Sequence, residues 1–183
     1  MKIPLMATGL LVLAALLSAC STQPVVTAQA RQGAQLNAYK TYAFEPSAGT
    51  DADGNASIAS AHMKAAVRQE MSARGYAFSL ANPDILVNFN ASVVSRPKTS
   101  SGPTLNLGMF GSHGGVSLGV PVSGAGANDQ KVSRILLELL DTTRREVVWE
   151  GAYEGVLSEQ ELADPSVALY AGVHSIFSRF PIK

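Results

Sequence analysis

Alternating apolar and polar positions predict four β-strands. The clearest covers residues 85–94, where Ile85, Val87 and Phe89 face one way and Asn88 and Asn90 the other. Residues 39–44, 131–140 and 146–153 are also strand-like, and the last places Val147, Trp149 and Tyr153 on one face. A sheet with one wet face is typical of antiparallel pairing. The last two strands, joined by a short polar turn, are predicted to form a β-hairpin.

A helical period predicts two helices. The first covers residues 57–74, and Gly75 follows it where a left-handed residue often ends a helix. Its apolar stripe consists of Met63, Ala66, Val67 and Met71. The second begins with an acidic N-cap, Asp164, followed by proline, and its stripe consists of Leu169, Val173, Ile176, Phe177 and Phe180. We therefore expect an α+β fold, with a single twisted, mostly antiparallel sheet and two helices packed on one face.

The first twenty residues have a different pattern. Lys2 precedes an apolar run over residues 5–17, and small residues then lead to Cys20, the only cysteine. The run is too short for a stable membrane span and has the layout of a secretory signal. Its end, Leu-Ser-Ala-Cys, resembles a bacterial lipobox, which implies cleavage before Cys20 and acylation of that residue. A buried helix with a packed thiol, or an uncleaved anchor, is the alternative interpretation.

The residue after the cysteine bears on location. It is Ser21 rather than aspartate, which by the sorting rule of such lipoproteins implies the outer membrane. The protein is then lipid-anchored, with its domain facing the periplasm. Two acyl attachments on Cys20 satisfy the requirement that stable anchoring takes more than one chain. The membrane is therefore one predicted partner.

The predicted domain organisation follows from these segments. Residues 1–19 are a signal peptide, residues 20–37 a flexible tether because they are polar and weakly patterned, and residues 38–183 one α+β domain. About 160 residues after the signal are enough for one core. A glycine-rich insertion at about 95–129 interrupts the domain, and we expect it to be mobile or loosely paired.

Composition excludes several kinds of function. Lys and Arg total 14 and Asp and Glu total 14, so no basic surplus suggests nucleic-acid binding. His62, His113 and His174 are scattered, and an acylated Cys20 leaves no thiolate ligand, so we expect no metal. A calcium-loop pattern beginning at Asp51 fails where it requires glycine and glutamate. We expect no cofactor besides the covalent lipid on Cys20.

One motif is typical of catalysis. Residues 115–119, Gly-Val-Ser-Leu-Gly, match the nucleophile elbow of α/β-hydrolases around Ser117. That elbow requires a strand, a sharp turn and a helix, and Pro121 follows too soon for a helix. Only His174 lies downstream as a base. We therefore predict that the protein is not an enzyme, and a Ser117 esterase is an alternative hypothesis.

Several short motifs occur in a particular order. They are Tyr-Lys-Thr-Tyr-Ala-Phe at 39–44, Arg-Gly-Tyr at 74–76, Pro-Asp-Ile-Leu-Val at 83–87, Leu-Leu-Asp at 139–141, Val-Trp-Glu-Gly at 148–151 and Phe-Pro at 180–181. Together they resemble a family of bacterial lipoproteins, domain-of-unknown-function family 4136. The resemblance covers most of the chain from Tyr39 onward. It implies no established activity and no catalytic residues.

The leading functional hypothesis is a non-enzymatic, lipid-anchored domain that binds an envelope partner, protein or glycan, or acts as an envelope scaffold. Loops on a rigid sheet often carry function, so Phe110 and His113 of the insertion, with Arg144 and Arg145 of the hairpin turn, are the candidate contact residues. The alternative is a small-ligand or lipid-binding module with a cleft between the helices and the sheet.

Overall fold

A six-stranded open sheet carries three helices in the computed structural model, which describes residues 23–46, 48–49, 57–97 and 129–181. In chain order the elements are β1 (Val25–Ala30), β2 (Thr41–Phe44), α1 (Ile58–Ala73), β3 (Ala77–Phe78), β4 (Ile85–Pro97), β5 (Asp129–Asp141), β6 (Glu146–Val156), α2 (Glu159–Ala163) and α3 (Pro165–Phe177). A single 3₁₀ turn, Leu36–Ala38, precedes β2.

The strand order is β1-β6-β5-β4-β2-β3, and the sheet is mixed. β1, β6, β5 and β4 pair antiparallel, whereas β2 runs parallel to both β4 and β3. The α+β class and the single sheet are confirmed. Most of the sheet is antiparallel, as predicted, but the two short pairings of β2 make it mixed. The reason is α1, which crosses over between β2 and β4 and returns the chain in the same direction.

The predicted flexible tether over residues 20–37 contains an ordered strand. Val25–Ala30 forms the edge strand β1, paired along its whole length with β6. Val26 and Ala28 pack against the core, and Leu36 is buried. Because β1 is only six residues long and its exposed positions are polar or small, its alternation was too short to recognise. The described domain therefore begins well before residue 38.

Both predicted helices are confirmed, including the Asp164 N-cap of the second. The Ser57 hydroxyl accepts from the Ser60 amide at the start of α1, and Asp164 accepts from the Ser166 amide before α3. Gly75 has a φ of +77° just after α1. A third helix, α2, was not predicted. Its five residues bury no side chain, and a capping box between Ser158 and Glu161 starts it.

The core fills the space between the helices and one face of the sheet. Trp149 packs against Phe177 and Phe180, with ring centroids 5.8 and 4.9 Å away. A bulge between β5 and β6 turns both Val148 and Trp149 inward, so Val148 rather than the predicted Val147 is fully buried. Gly151 is needed there, since a Cβ would lie 2.3 Å from Ile176 Cγ2.

Within residues 23–46, 48–49, 57–97 and 129–181, no helix is long and apolar enough to cross a membrane. The signal peptide, Cys20 and Ser21 lie outside the described residues, as do the calcium-like loop at Asp51 and the glycine-rich residues 98–128.

Candidate binding surface

The face of the sheet opposite the core carries no helix from the described part of the chain. We call it the helix-free face. It consists of Val25, Thr27 and Gln29 of β1, Glu150, Ala152, Glu154 and Val156 of β6, Val132, Arg134, Leu136, Glu138 and Leu140 of β5, and Leu86, Asn88, Asn90, Ser92, Val94 and Arg96 of β4. Since directly paired residues point to the same side, these side chains form rows across four strands.

A buried ion-pair cluster occupies one part of the helix-free face. Glu154 is 2% exposed, and its Oε2 accepts a 2.8 Å hydrogen bond from Arg134 Nε. Arg96 Nη2 lies 2.7 Å from the Oε1 atom of Glu154, as an ion pair without hydrogen-bond alignment. Because β5 separates β4 from β6, the Arg96 side chain must cross β5 above the buried Val132. Two guanidinium groups therefore share one carboxylate.

A second row on the same face is made of carboxylates and amides. Glu138 and Glu150 are directly paired on β5 and β6. Asn88 Nδ2 donates to Glu138 Oε2 at 2.9 Å, and Gln29 Nε2 donates weakly to Glu150 Oε1 at 3.4 Å. Burial raises the pKa of Glu138, the Asn88 hydrogen bond lowers it, and the charge of Glu150 raises it. This row gives the face an acidic region next to the arginine cluster.

The end of the sheet at the β5–β6 turn holds a polar network. Asp141 accepts hydrogen bonds from the Tyr39 hydroxyl at 2.6 Å and from the Thr143 and Arg144 amides at 2.8 Å. Asp84 accepts from the amides of Lys40 and Thr41, at 2.7 and 2.8 Å. These hydrogen bonds lower the pKa values of both aspartates, whereas burial and the Asp141 hydrogen bond raise the pKa of Tyr39 to about 12.

Three of the sequence motifs supply residues of this network and so have a structural role. The segment at 39–44, the Pro-Asp at 83–84 and the Leu-Leu-Asp at 139–141 meet at one end of the sheet. Thr142 Oγ1 also donates to the Pro83 and Asp84 carbonyls, at 2.8 and 3.0 Å. The bonds fix the register of β2, β4 and the hairpin. The motifs therefore contribute to holding the fold together.

A third polar cluster joins α1 to α3. Glu70 Oε2 accepts from Arg74 Nη1 at 2.6 Å, and Glu70 Oε1 lies 2.9 Å from His174 Nδ1. Arg74 Nη2 donates to the Phe177 carbonyl at 2.7 Å and its guanidinium lies over the Phe177 ring. His174 is thus a helix-flank residue held by Glu70. Among the described residues no three of His, Cys, Asp and Glu are grouped to hold a metal.

Of the predicted contact residues, only Arg144 and Arg145 lie within the described structure. Arg144 and Arg145 are exposed in the turn after β5, and Arg145 has a φ of +57°. The insertion leaves the sheet at Pro97 and re-enters at Asp129, the opposite end of β5. Thirteen residues at about 3.3 Å each separate the two ends by about 40 Å. Phe110, His113 and Ser117 lie outside the described residues.

The clusters on the helix-free face were missed by sequence reasoning. The alternation over 131–140 puts Arg134 and Glu138 on the face away from Ile135 and Leu137, but it does not identify their partners Glu154 and Glu150, because pairing depends on strand order. Arg96 falls within the predicted glycine-rich insertion, but in the structure it belongs to β4, which extends to Pro97. Alternation gave no signal for the extension of β5 to Asp129, because Asp129, Gln130 and Lys131 are all polar.

The fold and this face define an α+β domain with one mixed sheet and helices over one face. The chain belongs to the family described as a domain of unknown function, DUF4136, which matches residues 25–182. The match begins at the first residue of β1, in agreement with the domain boundary seen in the structure. No curated protein matches the sequence.

Two solved structures share the fold. A PDZ domain protein from Parabacteroides distasonis ATCC 8503 is 14% identical, with a TM-score of 0.54, over 88% of this chain. This chain spans only 37% of that protein. A PelC dodecamer from Paraburkholderia phytofirmans is 13% identical, with a TM-score of 0.50, over 88% of this chain and 99% of that one. At these identities the similarity concerns the fold alone.

Proposed function

We propose that this protein is an outer-membrane lipoprotein, acylated at Cys20, whose domain is a non-enzymatic binding or scaffold module for an envelope partner in the periplasm. The observation that carries the binding role is the helix-free face. It combines a buried arginine–glutamate cluster, a carboxylate–amide row and buried Leu136 and Ala152 between them. Alternating charged and apolar rows on a rigid sheet suit a protein surface of complementary charge.

The competing functions receive less support from the geometry. A ligand cleft between the helices and the sheet has little room at α3, because a Cβ on Gly172 would lie 2.5 Å from Ile135 Cδ1. An esterase centred on Ser117 is weakened by Pro121, which follows too soon for the helix that the nucleophile elbow requires. The contact of Glu70 with His174 Nδ1 is compatible with a catalytic base and does not decide the question. Labelling by a serine-reactive fluorophosphonate that disappears in a Ser117→Ala variant would favour the esterase instead.

In-cell photo-crosslinking tests the binding surface. A photoreactive amino acid replaces Asn90 or Ser92, both exposed on the helix-free face, and matched controls replace Ala171 on α3 and Thr143 in the turn. We expect one discrete partner band from positions 90 and 92 and none from 171. Equal crosslinking from Ala171, or from Thr143 alone, would assign the contact to another surface.

The lipid anchor has its own test. Mass spectrometry of the membrane-extracted protein should find a mature N-terminus at Cys20 carrying acyl mass, and a Cys20→Ala variant should lose both. An unprocessed or unacylated chain would remove the anchor from the proposal while leaving the crosslinking result independent.

A further inference from the structure

The start of β1 fixes where a lipid at Cys20 must be. Val25 is paired with Glu154, and the sheet holds β1 from that residue onward. Five peptide steps separate Cys20 from Val25. At no more than about 3.5 Å per residue, the cysteine lies within roughly 17 Å of Val25. The predicted long tether would have let the domain lie far from the lipid, whereas this short linker keeps the start of β1 close to it.

The pairing also shows which end of the sheet is nearest. Val25 lies in the row of Glu154 and Arg134, and the chain before Val25 points towards the end where β6 stops at Val156. β4 and β5 continue past β6 as a two-stranded ribbon. This ribbon consists of residues 95–97 and 129–131.

The ribbon reaches as far as the linker can. Asp129 is five residues beyond Arg134 along β5, or about 17 Å, which equals the longest span from Val25 to Cys20. In the other direction Asp141 is seven residues from Arg134, about 23 Å, and the turn lies beyond it. An anchor along the β1 axis therefore brings the ribbon to the membrane and keeps the turn away from it.

The ribbon has polar chemistry that suits a headgroup layer. Lys131 is its cation, Asp129 its acid and Gln130 a further polar group, and Lys131 Nζ donates to Ser95 Oγ at 2.6 Å. The Arg96 side chain is directed back onto Glu154 and does not contribute here. Such groups can exchange water for lipid phosphates without burying apolar surface.

We infer that the β4–β5 ribbon rests on the lipid surface and that the β5–β6 turn, with Arg144 and Arg145, points away from the membrane. The inference rests on the proposed acylation of Cys20. It makes the phospholipid headgroup layer the partner of one end of the sheet, and leaves the turn and the distal part of the helix-free face accessible to proteins of the periplasm.

Energy transfer to the membrane tests this orientation. The acylated full-length protein is placed in vesicles of phosphatidylethanolamine and phosphatidylglycerol that carry an acceptor dye on the headgroup. A donor is attached to one introduced cysteine, at Gln130→Cys in the ribbon, Thr143→Cys in the turn or Ala171→Cys on α3, since acylated Cys20 offers no thiol. We expect several-fold greater transfer from position 130 than from 143, with 171 between them.

A longer linker is the matched control. Inserting about 20 Gly and Ser residues between Thr22 and Gln23 gives a flexible chain and should reduce the contrast between the positions. Transfer from 143 or 171 that equals or exceeds transfer from 130 would overturn the orientation. Failure of the anchor itself appears differently: the protein carries no acyl mass, or a Cys20→Ala variant still sediments with the vesicles.

Discussion

The two faces of the sheet are formed by the same strands but are stabilised by different interactions. On the core face, Trp149, Leu137 and Phe89 are at most 1% exposed and pack against α1 and α3. On the helix-free face, buried Glu154 is paired with two arginines, of which Arg134 is 39% exposed, and no helix of the described residues lies above them. Burial of apolar side chains stabilises the core face. Ion pairing on the helix-free face costs desolvation and contributes less. The core face therefore holds the fold, and the other face has residues that stability alone does not require.

The largest expected effect is on the core face. Replacing Trp149 with alanine removes the ring that packs against Phe177 and Phe180 and should cost about 3–5 kcal/mol. That is a large part of a domain's stability of roughly 5–15 kcal/mol. Urea unfolding measures it. Leu162→Ala, at a half-exposed site on α2, is the control and should change stability by less than about 0.5 kcal/mol. A loss below about 1 kcal/mol for Trp149→Ala would contradict this core.

A smaller loss is expected on the helix-free face. Glu154→Gln leaves Arg96 and Arg134 beside each other without their counter-charge. We expect a loss of about 2–3 kcal/mol, below that of a fully buried pair because the Arg134 side chain is 39% exposed.

A triple variant separates charge from packing in this cluster. Arg96→Met, Arg134→Met and Glu154→Leu together should recover most of the stability lost by Glu154→Gln, since apolar replacement of an ion cluster is often neutral. If partner crosslinking from Asn90 disappears in this stable variant, the cluster serves binding. Retained crosslinking would show that the ions are dispensable for the partner.

The turn network at the end of the core face should give an acid-sensitive effect. The pKa of Asp141 is lowered, so its stabilisation is present above the unfolded pKa of about 3.9 and is lost as the pH falls through the lower folded value. Asp141→Asn should cost roughly 1.5 kcal/mol at pH 7, because hydrogen bonds to a charged acceptor are the stronger ones. The difference in urea midpoint between variant and wild type should be smaller at pH 3 than at pH 7. A difference that does not change with pH would contradict this.

Sequence reasoning succeeded where the pattern is local. The stripe of α1, with Met63 and Met71, and the N-cap at Asp164 depend on neighbours within one helix, so they could be recognised directly. The same holds for the hairpin of β5 and β6. It failed at β1, because a six-residue edge strand has too few positions for alternation to stand out.

The candidate surface was harder to predict for a different reason. Arg96 and Glu154 are 58 positions apart in the sequence and belong to strands that are not neighbours. Their contact follows from β5 lying between them, and only the strand order reveals this. The bulge at Val148 similarly depends on the register between two strands, which composition does not specify.

The smallest expected effect is a gain on the helix-free face. The pKa of Glu138 is raised above its unfolded value of about 4.3, so its ionised form costs stability at neutral pH, and the cost disappears as the pH falls below that value. Glu138→Gln keeps the amide partner Asn88 and removes both the cost of burying a charge and the repulsion from Glu150, which should stabilise by about 0.2–1 kcal/mol at pH 7. Thermal unfolding between pH 4 and pH 7 measures this difference, with Glu150→Gln as the matched variant.

The stability gained by Glu138→Gln should decrease as the pH falls. The stability lost by Asp141→Asn should also decrease, so the more stable variant and the less stable variant both approach wild type at acid pH. A gain that is constant with pH would mean that Glu138 is not held against a second carboxylate, and the acidic row would then be no feature of a binding surface.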